Sequence, residues 1–447
     1  MERFRGAVVR WVFRCLCRGV LAMGRLLYNL EIHGLEHLDT TGPFILTFRR
    51  VSGTDLFLVA LTLTLREPPL GMTGVVTANR FLAWLGQYTG TLPLFKEQGL
   101  SAVSLMTLSK ALQQRRSIQI ADNEIPWDGR PQPPRSGVAW CALHSGAPVV
   151  VAVVNGGYRI APRWAQRLPL RGKLVLRIGK PFYLCDAPRH RVTAEMLERA
   201  NRRLVEEIDA LSDPGLISEE HPWCKGIPTL LWQCPLCHTD DALRHKTPSS
   251  RPAAVQCRHC GTVWAVEGFR DNDYHLRVVQ GDASVVGQER PLAEWYDMMK
   301  SGLRLVAQED QAVSLAPGEE LYVSNPEARL DVEEDNPVLR SWDGEDAPSD
   351  RASALRFPFM KRWDRGRLFL TSERLIWVGD RARLTFWLSR LNSAHAQEVR
   401  FFALLYGACR YRFRLRPDSL LKWLTYTALV ARRIEQISGR RITTSHY

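Results

Sequence analysis

The sequence lacks any uncharged apolar run long enough to cross a bilayer. The two best candidates, Leu56–Leu65 and Leu424–Ala431, are far shorter than the roughly 20 residues that a transmembrane helix needs. A cleavable secretion signal is not expected either, because arginines run through the apolar part of the first 29 residues. The sequence also contains no internal repeat, which excludes a solenoid. We therefore expect a soluble or peripheral protein.

Acidic residues are scarce in the first half of the chain. Residues 1–230 hold 29 Lys and Arg against 19 Asp and Glu, which accounts for +10 of the net charge of +13. This surplus favours an anionic partner, whether a membrane surface, a phosphorylated small molecule or nucleic acid. With 447 residues, 45% of them hydrophobic, the chain is expected to form two to four domains.

Only four of the ten cysteines are regularly spaced. Cys234 and Cys237 form one Cys-x-x-Cys pair, and Cys257 and Cys260 form another after nineteen intervening residues. Two residues between cysteines let one tight turn aim both thiolates at a single tetrahedral ion. The pattern predicts a structural zinc site, with iron as the main competitor, in an intracellular protein. The other six cysteines are predicted to be buried thiols.

Residues 231–268, which contain these pairs, resemble the zinc-ribbon family. Pro235 and Gly261 stand in the expected turns, whereas His238 stands where a glycine is common. His238 and His259 are interpreted as bystanders. The resemblance implies a small β-rich fold around a closed four-sulfur site, and it identifies no ligand beyond the metal.

The first 29 residues have the pattern of a basic amphipathic helix. On a helical projection the arginines lie along one stripe and the apolar residues lie opposite them. The helix is expected either to lie in a membrane interface or to pack on the core of the protein with a solvated basic face. The arginines are Arg3, Arg10, Arg14, Arg18 and Arg25, and the apolar residues are Val9, Val12, Leu16, Val20, Met23 and Leu27.

Residues 30–215 alternate between strand and helix patterns, which predicts an α/β domain with a mostly parallel sheet. Asp213-Pro214-Gly215 ends the last helix. The predicted strands are Pro43–Phe48, Gly74–Thr77, Ile118–Ala121, Pro148–Val154 and Lys173–Ile178, and the predicted helices are Asp55–Leu65, Leu100–Gln114, Ser136–Leu143 and Ala194–Leu211.

Within this domain a series of short motifs resembles the glycerolipid acyltransferase family, which includes the lysophosphatidate acyltransferases. The motifs occur in the family's order and spacing over about residues 30–190. They are Gly34–Asp39, Gly42–Leu46, Arg50–Asp55, Phe81–Gly86, Leu94–Lys96, Ile118–Gly129 and Gly146–Val150.

The resemblance implies a catalytic histidine–aspartate pair with four residues between the two. The family's histidine takes a proton from an acceptor hydroxyl that attacks an acyl thioester, and its aspartate orients the imidazole. Here Asp55 matches the aspartate, but Arg50 occupies the histidine position. A guanidinium stays protonated and has no acceptor nitrogen, so it cannot serve as the base. An Arg50–Asp55 ion pair would keep the local geometry without the chemistry.

The motif that grips the acceptor phosphate also departs from the family's pattern. Where the family has Glu-Gly-Thr-Arg, this chain has Asp122-Asn123-Glu124-Ile125, which replaces a cation by a second acid. Lys96 stands where the family usually carries an arginine, so it keeps the charge but loses the bidentate fork. These changes predict a degenerate site.

Residues 304–437 resemble the PH/GRAM-like family, through Gly366–Val378 and a closing helix at about Ser419–Ile437. The resemblance implies a small β-rich barrel, here with an acidic insertion at 331–350. Four arginines at alternate positions are expected on one face of a strand, either as a lipid-headgroup site or as a solvated outer face. They are Arg410, Arg412, Arg414 and Arg416.

Three functional hypotheses follow. In the first, a cytoplasmic protein peripheral to the inner face of a membrane uses a degenerate acyltransferase-like domain to bind or scaffold anionic lipid or lysophospholipid. In the second, the same domain is an active lysophospholipid (1-acylglycerol-3-phosphate-type) acyltransferase that uses an acyl thioester donor and a substitute base. Nucleic-acid binding is the third and is not expected, because the surplus charge lies in the lipid-like half.

Overall fold

The structure is a computed structural model of the 447-residue chain. It describes residues 2–39, 42–50, 52–65, 71–75, 92–94, 102–120, 125–133, 136–166, 171–188, 191–220, 222, 224–246, 253–333, 360–397, 400–416, 418–439 and 442–444. Across these ranges no helix is both long enough and apolar enough to span a membrane.

The chain divides into two compact units. Among the described residues, the first unit holds the chain up to Ile227 together with Leu243–Asp297, and the second holds Pro228–Ala242 together with Met298–Tyr447. The predicted domain boundaries at 30–215, 231–268 and 304–437 stay predictions.

A seven-stranded sheet forms the centre of the first unit. Its strand order is β1-β7-β6-β2-β5-β3-β4, and every pairing is parallel except that of β6 with β7. The strands are β1 (Leu30–His33), β2 (Ile45–Phe48), β3 (Gly71–Val75), β4 (Leu92–Leu94), β5 (Ile118–Ile120), β6 (Val149–Asn155) and β7 (Leu174–Ile178). β6 is apolar from Val149 to Val154 and is buried along its whole length, including its last residue Asn155, as a central strand requires. The predicted mixed α/β architecture is confirmed.

The helices of this unit pack on the sheet through their apolar stripes. Thr193 caps the longest connecting helix by accepting a hydrogen bond from the backbone N–H of Met196. The helices are α1 (Glu2–Tyr28), α2 (Leu56–Leu65), α3 (Ala102–Gln113), α4 (Ser136–Ser145), α5 (Gly157–Ile160) and α6 (Ala194–Leu211). A short helix, α7 (Ile227–Leu230), follows along the chain.

Helix α1 presents two different apolar faces. Cys17, Leu21 and Tyr28 are buried in a cluster with residues of α2 and the sheet, and the ring of Tyr28 packs edge-on against Phe57. Gly24 lets the helices approach, because a Cβ at this position would lie 2.8 Å from the Phe57 ring. A second stripe remains exposed and comprises Val8, Trp11, Val12, Leu16, Met23 and Leu26. The helix therefore packs on the core and still exposes apolar surface.

The first unit contains a second, antiparallel sheet, with the order β13-β12-β11-β10-β9 and β8 paired to β11. The strands are β8 (Glu219–Glu220), β9 (Leu243–His245), β10 (Ala254–Cys257), β11 (Val263–Arg270), β12 (Asp273–Gln280) and β13 (Glu289–Pro291), followed by helix α8 (Leu292–Ser301). Asp273 accepts a hydrogen bond from the backbone N–H of Ala293 in the first turn of α8. Burial raises the pKa of Asp273 to about 7.

The second unit is built on an eight-stranded sheet with the order β17-β16-β15-β14-β20-β19-β18-β21. The strands are β14 (Leu321–Glu333), β15 (Met360–Thr371), β16 (Arg374–Gly379), β17 (Arg383–Trp387), β18 (Leu391–Gln397), β19 (Phe401–Tyr406), β20 (Cys409–Arg416) and β21 (Thr443–Thr444). The predicted closing helix is present as α9 (Leu420–Ser438). The β-rich character and the helix are confirmed, and closure into a barrel stays a prediction.

Candidate functional sites

The loop after β2 carries two consecutive arginines with different partners. Arg49 is 8% exposed, and its Nη2 donates to Asp209 Oδ1 of α6 at 2.7 Å. Its Nη1 also donates to Ser212 Oγ at 3.4 Å. Arg49 therefore ties the loop to α6, and Arg50 points to a different carboxylate.

Arg50 pairs with Asp55, the residue immediately before α2. Its Nε lies 3.5 Å from Asp55 Oδ2, and the side chains are 27% and 9% exposed respectively. Both carboxylate oxygens of Asp55 are buried and lie beyond good hydrogen-bond geometry from a described donor. The two predicted residues are thus brought together, as an ion pair in which the carboxylate is the enclosed member.

Burial raises the pKa of Asp55 from its ordinary value to about 7, and the charge of the neighbouring Arg50 guanidinium opposes that rise. The carboxyl is therefore partly protonated near neutral pH. A permanent cation beside it keeps a fraction ionised, but the pair contains no neutral nitrogen that could accept a proton.

The loop that carries this pair is held rigidly. Ser52 Oγ lies 2.7 Å from Thr54 Oγ1, and the backbone N–H of Gly53 donates to the carbonyl of Ala161 at 3.1 Å. A Cβ at Gly157 would lie 2.5 Å from both hydroxyl oxygens, so only glycine lets α5 approach the loop this closely. These contacts hold Arg50 and Asp55 in one loop between β2 and α2.

No histidine contacts Asp55 within the ranges that the structure describes. His37 Nδ1 lies 2.8 Å from the carbonyl of Ile178, and His144 stacks on Trp140 with ring centroids 4.7 Å apart. His33 lies near Glu31 on β1. Each of these imidazoles is thus occupied elsewhere, and His190 lies outside the described residues.

The remaining predicted site residues, Lys96, Asp122, Asn123 and Glu124, also lie outside the described residues. A cavity of about 550 Å³ lies at the amino ends of β2 and β6, beside Pro43 and Pro148, which precede these two strands. Arg50 and Asp55 follow the carboxyl end of β2, so this cavity is separate from the pair.

The four regularly spaced cysteines come together. The sulfur atoms of Cys234, Cys237, Cys257 and Cys260 all lie within 4.8 Å of one another. A tetrahedral zinc with Zn–S bonds of about 2.3 Å separates its sulfurs by about 3.8 Å, so the spacing fits a four-thiolate site. The set is chemically complete, since no further ligand is needed for a closed tetrahedron.

The two cysteine turns repeat the same backbone pattern. In the first, the N–H of Cys234 donates to the carbonyl of Thr239, and in the second the N–H of Cys257 donates to that of Thr262. The fifth residue of each turn, His238 or Gly261, has a left-handed φ of 54° or 74°. His238 therefore accepts the conformation for which glycine is preferred, which explains why the departure from the family pattern is tolerated.

Within the second unit, α9 binds the segment that contains the first cysteine turn. Lys422 Nζ donates to Asp241 Oδ2, and Tyr426 Oη donates to Asp240 Oδ2 at 2.8 Å. Ser419 Oγ donates to the carbonyl of Thr229 at 2.7 Å. These partly buried contacts fix the segment on the closing helix of this unit.

The four alternating arginines of β20 divide into two pairs. Arg412 Nε donates to Asp331 Oδ2 at 2.8 Å, and Arg410 Nη1 donates to Glu333 Oε1 at 3.2 Å. Arg414 and Arg416 form no ion pair with a described residue. The sequence predicted one uniform face, whereas the structure neutralises half of it.

Comparisons with known proteins establish no family for this chain. No protein-family model matches it, and no curated protein matches it. One solved structure that resembles it is the 1-acyl-sn-glycerophosphate (LPA) acyltransferase PlsC from Thermotoga maritima, at 17% identity and a TM-score of 0.36, covering 47% of this chain and 83% of that chain. A likeness of this size carries no functional conclusion.

Sequence reasoning missed two features of these sites. The Arg49–Asp209 contact joins residues that are 160 positions apart, and no local pattern announces it. The exposed apolar stripe of α1 was predicted only as one side of an amphipathic helix. Helical spacing at Trp11, Leu16 and Leu26 could have separated a core face from a second exposed face.

Proposed function

We propose that this protein works at the surface of an anionic membrane as a lipid-binding or scaffolding protein whose acyltransferase-like segment does not transfer acyl groups. The observation that carries the proposal is the Arg50–Asp55 pair, with 3.5 Å between Nε and Oδ2. Loss of a positioned base costs about 10²–10⁴-fold in rate. Arg50 cannot replace that base, because it has no site for the proton.

Helix α1 supports the membrane part of the proposal. Its exposed apolar stripe includes Trp11 at 67% and Leu26 at 83% exposure, and Arg18 and Arg25 are exposed on the same helix. A helix with exposed apolar residues and flanking arginines binds an interface by inserting the former below the headgroups and placing the latter on anionic phosphates. We infer a cytoplasmic protein, peripheral on the inner face of the membrane.

The cysteine cluster supports a structural rather than a chemical contribution from metal. We propose that Cys234, Cys237, Cys257 and Cys260 hold one zinc ion, because four thiolates at ribbon spacing favour zinc and leave no open coordination position. The segment 304–437 is proposed as a PH/GRAM-like module of the same lipid-associated protein.

A second candidate is an active lysophospholipid acyltransferase in which Asp55 itself is the substitute base. The pKa of about 7 favours this candidate, because general bases are most effective when their pKa is close to the working pH. Enclosure of both carboxylate oxygens argues against it, since an acceptor hydroxyl must come within hydrogen-bond reach of the base.

An acyl-transfer assay separates the two candidates. Purified full-length protein, Arg50→His and Asp55→Ala are offered lysophosphatidate with acyl-CoA or an acyl-carrier-protein thioester as donor. The first proposal predicts background rates for the unaltered chain. Turnover well above background that Asp55→Ala abolishes would establish the enzyme instead.

The membrane part is tested by vesicle co-sedimentation. Trp11→Ser with Leu26→Ser removes the two most exposed members of the α1 stripe and should weaken binding to anionic vesicles by about tenfold. Folding should be unaffected, because neither side chain is buried. Equal sedimentation of the natural chain and the double variant would show that the exposed stripe of α1 does not bind the membrane.

A further inference from the structure

Three arginines stand side by side on adjacent strands of the second unit. Arg329 of β14 is directly opposite Arg365 of β15 and also directly opposite Arg414 of β20. Directly opposed residues of antiparallel strands lie on the same face, with Cβ atoms about 5 Å apart. We call these three residues the arginine row.

Among the described residues the arginine row has no acidic partner, in contrast to the charged residues that follow it along β14. Near the carboxyl end of β14, Asp331 forms an ion pair with Arg412 and Glu333 forms one with Arg410. No member of the arginine row forms an ion pair in the part of the chain that the structure describes. Glu327 lies opposite Arg416 without an ion pair to it.

More cations surround the row. Partial burial lowers the pKa of Arg414, and the neighbouring guanidinium groups of Arg416, Arg400, Arg329 and Arg362 lower it further. Arg362, Arg365, Arg400 and Arg416 are exposed, and Arg329 and Arg414 are half-buried. Like charges at directly opposed positions destabilise a sheet, so the free protein carries a cost that a bound anion would remove.

The opposite face of the same strands is the core. Leu330 of β14 and Tyr411 and Phe413 of β20 are buried there, and Phe413 packs against Trp377. The aromatic rings of β20 are thus turned away from the arginines. A single-stranded nucleic acid needs exposed rings on which its bases stack. β20 offers none on the basic face, and the half-buried ring of Phe401 on β19 is already covered by the Arg412 guanidinium, 4.1 Å from the ring centroid.

We propose that the arginine row is a binding surface for the phosphate groups of anionic lipid headgroups. A guanidinium binds phosphate through two parallel N–H···O bonds, and strands about 4.8 Å apart place neighbouring forks within reach of one doubly charged phosphomonoester. The face belongs to an extended sheet, which matches a planar array of headgroups. The inference rests on the proposed membrane function and adds a second contact to that of α1.

The test uses the full-length chain and vesicles of phosphatidylcholine with and without phosphatidic acid. Arg329→Gln with Arg414→Gln removes two members of the arginine row, and Arg383→Gln with Arg390→Gln is the control with the same change in net charge at exposed arginines. Each pair is made in the natural chain and in the Trp11→Ser, Leu26→Ser chain.

In the chain with the altered α1 stripe, loss of the row should weaken binding to phosphatidic acid vesicles by about tenfold, and the control pair should change it less than about twofold. The row variant should also melt at a slightly higher temperature, because it relieves repulsion. That shift shows that weaker binding is not due to misfolding.

The other outcomes overturn the inference or its basis. Equal binding by the row variant and the control variant rejects the arginine row as a lipid site. If vesicle binding then still depends on the α1 stripe, the proposed membrane function stands without the arginine row. Failure of the natural chain to bind phosphatidic acid vesicles rejects both. Row-dependent binding of duplex DNA, or of inorganic phosphate at matched ionic strength, without vesicle binding rejects the lipid as the partner.

Discussion

The four-cysteine cluster and the Arg50–Asp55 pair differ in how much of their chemistry is contained in the motif itself. Four thiolates within 4.8 Å form a complete ligand set whatever surrounds them. The behaviour of the pair depends on one substituted residue and on burial, which moves the pKa of Asp55 to about 7. A short motif therefore predicts a metal site well and a proton-transfer site poorly.

The largest expected effect on metal binding and thermal stability comes from removing cysteines of the four-cysteine cluster. Cys234→Ser with Cys257→Ser should abolish binding of about one zinc per chain and lower the melting temperature strongly, because structural zinc contributes about 10–16 kcal/mol in small domains. Metal analysis and thermal unfolding measure both effects. Cys15→Ser is the control, because Cys15 is exposed on α1, which corrects the prediction that it is a buried thiol. Unchanged metal content in the double variant would contradict the assignment.

The second-largest expected effect tests whether burial raises the pKa of Asp55. Its folded pKa of about 7 exceeds its ordinary 3.8, so the folded state holds a proton that the unfolded state releases between these values. The contribution of this group to the free energy of unfolding is present below about pH 4 and is lost as the pH rises to about 7. Asp55→Asn should remove this loss, on the order of 4 kcal/mol between pH 4 and pH 8.

Denaturant unfolding of both proteins across this pH range measures the difference. Asp209→Asn is a useful comparison, because this carboxylate is 58% exposed and pairs with Arg49. Parallel pH profiles for the natural chain and Asp55→Asn would show that the carboxyl is not desolvated in solution.

Removing the positive charge of Arg50 is expected to have a smaller effect on the free energy of unfolding. Arg50→Gln leaves the buried carboxyl without its charged neighbour and should cost about 1–3 kcal/mol at pH 8, because the carboxyl is ionised there. At pH 5 the cost should nearly vanish, since the carboxyl takes up a proton instead. Arg177→Gln, which breaks the more exposed pair with Asp213, should change stability by less than about 1 kcal/mol. A cost at Arg50 that does not depend on pH would show that the ion pair is not the reason for it.

The strands and helices that sequence patterns predicted well are those with continuous or periodic apolar residues. Helix α6 was predicted with its observed bounds, Ala194–Leu211, and the Asp213-Pro214-Gly215 stop marks its end. β6 differs from its prediction by one residue at each end. Both elements are specified by local sequence.

Two of the strands that were missed, β14 and β18, are polar or interrupted. β14 contains Asn325-Pro326 and an outer face of Glu327, Arg329, Asp331 and Glu333, so its alternation looks like a charged loop. Its identity depends on pairing with β15 and β20, and two of its charges, Asp331 and Glu333, form ion pairs with arginines of β20. β18 is similarly polar along much of its length, and its pairing with β19 is not visible in the local sequence.

The candidate sites divide in the same way. Spacing located the cysteine cluster, and the motif located Arg50 and Asp55. The enclosure of Asp55, the contact of Arg49 with Asp209 and the alignment of the arginine row on three strands all depend on residues distant in the chain, so they required the structure.

The account depends most on the absence of proton transfer at Arg50 and Asp55, and a single-turnover experiment tests this directly. Protein in molar excess over an acyl thioester is mixed with lysophosphatidate, and release of free thiol is followed together with formation of the diacyl product. The account predicts that both proceed at the rate measured without protein. A protein-dependent burst of product that disappears in Asp55→Ala would contradict it.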